Sequence, residues 1–136
     1  MIKIIIVDDD QKQCVLVKQI IKPLLFKYDE TFEIISFSSF NSELQNLISD
    51  NSERKVFLLD IDLGKKITGI NIAQIIRKKD WDSEIIFFTN HDHYFNKVYR
   101  SVFKVFDFIE KFDHMEDRLI IDLEKIFSHK HDNGMY

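Results

Sequence analysis

Proline occurs once in this chain, at Pro23, cysteine once, at Cys14, and glycine three times. So little proline and glycine leaves scant room for a flexible linker between domains, and no internal repeat is present. The lone Cys14 excludes an internal disulfide and fits a reducing compartment, so a cytoplasmic location is expected. No stretch is long and apolar enough to span a membrane. The first apolar run, Ile4 to Val7, stops at three aspartates, which argues against a signal peptide. A basic excess is missing too: at a net charge of −4, nothing suggests that this chain grips DNA by itself. Nor is it acidic enough for a disordered acidic tail. What remains is one globular domain of 136 residues, 45% hydrophobic and 31% charged, large enough for a core.

The organising stretch is Val56-Phe57-Leu58-Leu59-Asp60-Ile61-Asp62-Leu63-Gly64. An apolar run without polar alternation reads as a strand buried on both faces of a parallel sheet. Asp60 falls at its carboxyl end, where ligands bind in open α/β sheets, and Gly64 lets the chain turn. Four more apolar runs read the same way: Ile2–Val7, Phe32–Phe37, Ile85–Phe88 and Val105–Ile109. Helical spacing fills the gaps. Gln11 to about Tyr28 carries Val15, Leu16, Ile20, Leu24 and Leu25 roughly along one face, with Pro23 expected to kink or end the helix near Lys22. A second helix starts near Asn41, with Leu44, Leu47 and Ile48, and breaks at Asp50-Asn51-Ser52. Thr68 and Gly69 open a third, with Ile72, Ile75 and Ile76 inside. Arg77-Lys78-Lys79 close it, read as a solvated helix end. Tyr94, Phe95, Val98, Tyr99 and Val102 form the stripe of a fourth helix, and Leu119, Leu123, Ile126 and Phe127 that of a fifth. Residues 129–136 read as a tail.

Five strands alternating with five helices predict a doubly wound α/β domain over residues 1–128, with a parallel sheet of order 2-1-3-4-5. That order gathers Asp8, Asp9 and Asp60 on one rim, with Thr89 and Lys111 at the ends of strands four and five. Adjacent carboxylates call for a cation, either a metal or a lysine. Each residue alone has a plainer reading: Asp10 as a helix N-cap, Thr89 as a cap, Lys111 as a snorkelling surface lysine, Phe108 as core.

Together, the five rim residues at ordered strand ends resemble the receiver domain of bacterial two-component response regulators, over essentially the whole chain. The resemblance implies a flavodoxin-like receiver fold. It implies that Asp60 is the phosphoacceptor and that Asp8, Asp9, Asp60 and the backbone carbonyl of Asp62 hold Mg²⁺. Thr89 and Lys111 would bind the phosphoryl oxygens, and Phe108 takes the place of the switch aromatic. The implied donor is a sensor histidine kinase. The implied output is a changed face of the fourth helix, fifth strand and fifth helix, with phosphorylation-dependent homodimerisation. No enzymatic activity is expected beyond Mg-dependent self-phosphotransfer and autodephosphorylation.

Phe57 to Leu63, Gly69-Ile70 and Asp107-Phe108-Ile109-Glu110-Lys111 further resemble the LytTR-type regulators of peptide quorum sensing. There the receiver precedes a DNA-binding domain, so DNA would be met only through an effector domain absent from this chain, with 129–136 as the start of the linker. Two departures stand out. Phe112 follows Lys111 where most receivers have proline, which favours a trans bond and a different placement of Lys111. The loop after Asp60 lacks proline and reaches Gly69 one residue late. Both are expected to alter loop shape and phosphoryl lifetime rather than abolish the site.

Two other function classes compete. A haloacid-dehalogenase-like phosphatase would use Asp60-Ile61-Asp62 as its Asp-x-Asp pair, but it needs metal-binding acids on a strand after the lysine. A receiver-like module that signals by binding alone usually loses one of the acidic pair, the acceptor or the lysine, and this chain keeps them all. His91 and His93, without further ligands, read as surface residues rather than a zinc site.

Overall fold

The computed structural model describes residues 1–63, 67–90, 96–112 and 114–128, with 96–99 by their backbone alone. Elements alternate along the chain: β1 (Ile2–Val7), α1 (Gln11–Leu25), β2 (Phe32–Phe37), α2 (Ser42–Ser49), β3 (Arg54–Asp60), α3 (Gly69–Lys79), β4 (Glu84–Thr89), α4 (Asn96–Phe103), β5 (Asp107–Glu110) and α5 (Met115–Ser128). The five strands form one sheet in the expected order, β2-β1-β3-β4-β5, with every neighbouring pair parallel.

The absence of polar alternation in the strands has a direct cause. Ile4 and Ile6 of β1, with Val56, Leu58, Ile86 and Phe88, pack on α1 and α5 through Val17, Ile21, Leu119 and Leu123. Ile5 and Val7, with Phe57, Leu59 and Phe87, pack on α2 and α3 through Leu44, Ile48, Ile72 and Ile76. Successive side chains point to opposite faces, and both faces are covered, so the middles of β1, β3 and β4 are apolar without a break.

Helix starts are set by short polar side chains. Asp10 caps α1 by accepting from Lys12 N, and Asn41 caps α2 by accepting from Leu44 N. Thr68 and Asn71 form a reciprocal capping box at α3. The plain reading of Asp10 is therefore the observed one.

Several expectations are corrected. The buried face of α1 is Cys14, Val17, Ile20, Ile21 and Leu24, while Val15 and Leu16 are exposed; the apolar stripe is phased one step away from them. The helix also runs through Pro23 to Leu25 instead of ending at Lys22. Pro23 has no N–H to donate to the carbonyl of residue 19, but only Leu24 and Leu25 follow it in the helix, so little helix lies beyond the break. Among the described side chains of α4, Val102 is exposed and Phe103 is buried. Val105 is buried but precedes β5, which starts at Asp107, because Lys104 at φ 54° turns the chain first. The basic end of α3 is not simply solvated. Arg77 donates to the carbonyls of Phe103 (2.5 Å), Asp80 (2.9 Å), Ser83 (2.8 Å) and Lys104 (3.1 Å) and to Ser83 Oγ (3.2 Å). It staples the end of α4 to the turn before β4. Gly64, His91, His93, Tyr94, Phe95, the side chains of Val98 and Tyr99, and the 129–136 tail lie outside the described residues.

Candidate functional site

Strand register builds the rim. Val7 pairs with Leu59, Asp60 with Phe88, and Thr89 with Glu110. Asp8 thus emerges beside Asp60 at the point where the chain's windings diverge, with β2 on one side of β1 and β3 on the other. Such a switch point leaves a crevice over the strand ends. Lys111 leaves β5 beside Thr89, its backbone N–H donating to the Thr89 carbonyl at 2.8 Å.

The side chains converge. Lys111 Nζ lies 3.2 Å from Asp8 Oδ2 and 3.3 Å from Asp60 Oδ1. Asp8, Asp60 and Thr89 are buried, Lys111 nearly so, and Asp9 is exposed. Two backbone bonds fix the carboxylates: Asp10 N donates to Asp8 Oδ1 at 2.9 Å and Asp62 N to Asp60 Oδ1 at 3.1 Å. Phe112 follows Lys111 without a cis bond, and its ring is largely exposed. The missing proline has not turned Lys111 away from the rim: its ammonium points between the two acids.

Gly69 has a steric role. A Cβ on it would collide with the carbonyl oxygen of Asp60 and stand 2.9 Å from the Asp60 carbonyl carbon and 3.0 Å from Ile61 Cα. The first turn of α3 rests directly on the backbone of Asp60, its Gly69 N–H donating to Ile61 O at 3.2 Å. Only glycine allows that approach.

Charge at this rim is unbalanced. One carboxylate oxygen each from Asp8, Asp9 and Asp60 lie within 4.8 Å of one another. Burial, then the charge of Asp8, push the Asp60 carboxyl up to about 7 against the opposing pull of Lys111. Burial alone would lower Lys111, but Asp60 and Asp8 outweigh it and hold its ammonium above the ordinary value. Among the described residues, a single ammonium thus stands against three carboxylates. An all-oxygen cluster with surplus negative charge, partly open through Asp9, suits a small hard divalent cation.

Phe108 is buried, its ring 5.4 Å from that of Phe87 and tilted by 30°. The Arg100 guanidinium carbon lies 5.5 Å from the Phe108 ring centroid. The sequence reading passed over Arg100 together with Asp107, Arg118 and Asp122, which meet beside this ring. A signal for Asp122 was available: it lies on the same helical face as Leu119, Leu123 and Ile126, where a charged residue is out of place.

Comparison with known proteins identifies the family. The family model described as the response regulator receiver domain matches residues 4–122. Accessory gene regulator protein A of Staphylococcus aureus strain N315 is 34% identical over 123 residues, which is 88% of this chain and 51% of that protein. Its Staphylococcus epidermidis counterpart in strain RP62A is 32% identical over the same shares. The chain spans about half the length of the curated relatives it matches. Among solved structures, the response regulator protein TrrA of Thermotoga maritima, in complex with Mg(2+)-BeF, is 27% identical at a TM-score of 0.69, covering 93% of this chain and 99% of its own. A receiver domain protein from Clostridium thermocellum matches at a TM-score of 0.75 and 21% identity, over 96% of this chain and 97% of its own, a likeness of fold. With the fold, the rim and the sequence in accord, the chain belongs to the response regulator receiver domain family.

Proposed function

We propose that this chain is a working phosphoacceptor: a sensor histidine kinase transfers a phosphoryl group to Asp60, and the domain changes one face in response. The observation that carries this reading is Lys111 Nζ held between Asp8 and Asp60 at the rim. Both Lys111 and Asp62 N engage Oδ1 of Asp60, which leaves Oδ2 to attack the phosphorus as the donor's P–N bond breaks. Mg²⁺, when bound, neutralises charge on the transferring group. Asp8, Asp9, Asp60 and the backbone carbonyl of Asp62 would hold it. Lys111 then serves as a point charge for one phosphoryl oxygen and the Thr89 hydroxyl as a donor to another.

Transfer replaces a carboxylate by a group with more negative charge and more acceptor oxygens. Lys111 and Thr89 follow that charge, and Phe108, as the switch aromatic, reorients against Phe87. The face made by α4, β5 and α5 changes with it, favouring a homodimer. In the full-length protein the receiver unit, residues 1–128, would control a LytTR-type DNA-binding domain in the cytoplasm, in peptide quorum sensing. Among the described residues no helix is long and apolar enough to cross a membrane.

Intact-mass spectrometry after incubation with acetyl phosphate and Mg²⁺ tests the reading. One labile phosphoryl group is expected on the wild type and none on Asp60→Ala or in the presence of a chelator. An unmodified wild type under all these conditions would leave a binding-only module.

A further inference from the structure

At the end of β5 opposite Lys111, two acids are buried side by side. Asp107 begins β5, Asp122 comes from α5, and each is 5% exposed. Arg118 of α5 grips Asp107 as a fork, Nε to Oδ2 at 2.8 Å and Nη2 to Oδ1 at 2.6 Å. Phe108 N donates to the same Oδ1 at 2.8 Å. Asp107 is therefore fully supplied with donors, as an ionised carboxylate should be.

Asp122 is not. Its Oδ2 is sealed from water and receives no hydrogen bond from any described donor, while its carboxyl stands in hydrogen-bonding contact with that of Asp107. Two carboxylates cannot hydrogen-bond to each other without a proton between them. An ionised Asp122 would be a buried charge beside a second buried charge, with an acceptor left empty. A protonated Asp122 removes both problems at once, because its O–H donates to Asp107. Burial and the contact with Asp107 push Asp122 up to about 8. Burial also pushes Asp107 up, but the bonds from Asp122 and Arg118 outweigh it and keep that carboxyl below its ordinary value.

Among the described residues, the remaining charges around the pair are Glu110 of β5, Lys125 of α5 and Arg100 of α4. Glu110 acts on Arg118, and Lys125 acts on Asp122 along the helix. Arg100 is the link to another element. Its Nη1 donates to Phe106 O at 2.8 Å, its guanidinium carbon lies 5.5 Å from the Phe108 ring centroid, and its Nη2 is 3.8 Å from Asp107 Oδ1. At that distance it is a counter-charge without being a hydrogen-bond donor.

We propose that Asp107 and Asp122 share a single proton, and that this proton and Arg100 are alternative counter-charges for one buried site. The pair thereby positions α4 on Phe108. When the proton leaves, the surplus charge draws Arg100 toward Asp107. When Arg100 is drawn away, the pair holds its proton more tightly. A proton and a helix position that share one site are thermodynamically linked. The connection to switching rests on the phosphoacceptor reading: if phosphorylation moves α4 and Arg100 with it, pH sets how readily that face changes. Arg100, Arg118 and Asp122 are positioning residues, since none touches the reacting atoms.

Carbon-detected NMR titration of the aspartate carboxyls, on the 136-residue chain, tests this. In wild type, one carboxyl of the pair is expected to remain protonated through neutral pH. In Arg100→Gln its midpoint should rise by about half a unit. Asp122→Asn, which keeps a donor facing Asp107, should fold normally and abolish that titration, whereas Asp122→Ala should lose stability. If both carboxyls ionise below about pH 5, or if Arg100→Gln leaves the midpoint unmoved, the proposal is overturned. Adding Mg²⁺ and beryllofluoride should shift the midpoint in wild type. Beryllofluoride bound without any shift would overturn the coupling to switching. Beryllofluoride that does not bind would count against the phosphoacceptor reading alone, and the Arg100→Gln comparison would still decide the acid pair.

Discussion

β3 carries a buried lysine–aspartate cluster at each end, and the two are built to opposite specifications. At its start, Lys55 Nζ pairs with Asp80 Oδ2 at 3.0 Å and donates to the carbonyls of Leu47 and Ile48, each at 2.9 Å, and to Asn51 Oδ1 at 3.3 Å. Asp80 spends its other oxygen on Asp82 N and Ser83 N, each at 3.0 Å. One cation meets one anion, and both are saturated with hydrogen bonds. At the far end, Lys111 meets Asp8 and Asp60 with Asp9 beside them. The ion-pair distances are much the same at both ends; the charge balance is not. A balanced cluster holds elements together, whereas an acidic surplus is kept only where something cationic or reactive is to arrive.

Breaking the balanced end should cost the most. Asp80→Ala strands Lys55 in the interior and is expected to remove about 3–5 kcal/mol of stability, measured by urea denaturation. A loss under about 1 kcal/mol would mean that Lys55 is satisfied by its carbonyls alone. Gly69→Ala comes next. Its methyl must displace the Asp60 backbone, so a loss of about 1–3 kcal/mol and slower phosphorylation by acetyl phosphate are expected. Unchanged kinetics would show that α3 can shift without moving Asp60.

Removing charge at the surplus end should do the reverse. Asp60→Asn is expected to stabilise the metal-free protein by about 0.5–2 kcal/mol at pH 8 while abolishing phosphorylation. A destabilised Asp60→Asn would mean that Lys111 needs both acids. The smallest effect is the one that separates the two ends most sharply. Asp60 has a raised pKa, so native protein without metal holds a proton that the unfolded chain has released. Its contribution falls as pH rises from about 4 to about 7. Asp80 is held below its ordinary value, so its contribution is lost in the opposite direction, as pH drops through its folded pKa. Denaturation across pH should therefore show the gap between Asp60→Asn and wild type widening from pH 4 to 7. A gap that narrows would contradict the surplus-charge picture.

The acidic end was the more legible of the two. Apolar runs mark strands, strand ends mark the rim, and Asp8, Asp9, Asp60, Thr89 and Lys111 fall at those ends by position alone. The Lys55–Asp80 pair left no such mark, because its partners meet only through tertiary packing. Arg77 was misread for the same reason: a basic triplet closing a helix looks solvated until the carbonyls of Phe103 and Lys104 come to it. The burial of Cys14 and Val17 over Val15 and Leu16 is a matter of helix phase, which a stretch with apolar residues all round does not fix. Phe112 misled differently. The absent proline suggested a displaced lysine, but Lys111 is placed by the pull of two acids, not by the residue after it.

The Arg77 staple turns α4 into a lever with its fulcrum at Phe103 and Lys104. Any swing of the helix is smallest there and grows toward Asn96. Trp81, the sole tryptophan of the chain, sits at that fulcrum, its ring 5.4 Å from the Arg77 guanidinium and 5.6 Å from the Lys104 ammonium. The protein thus carries its own optical gauge. A changing Trp81 signal means that this end of α4 has let go, and a quiet one means that it has held.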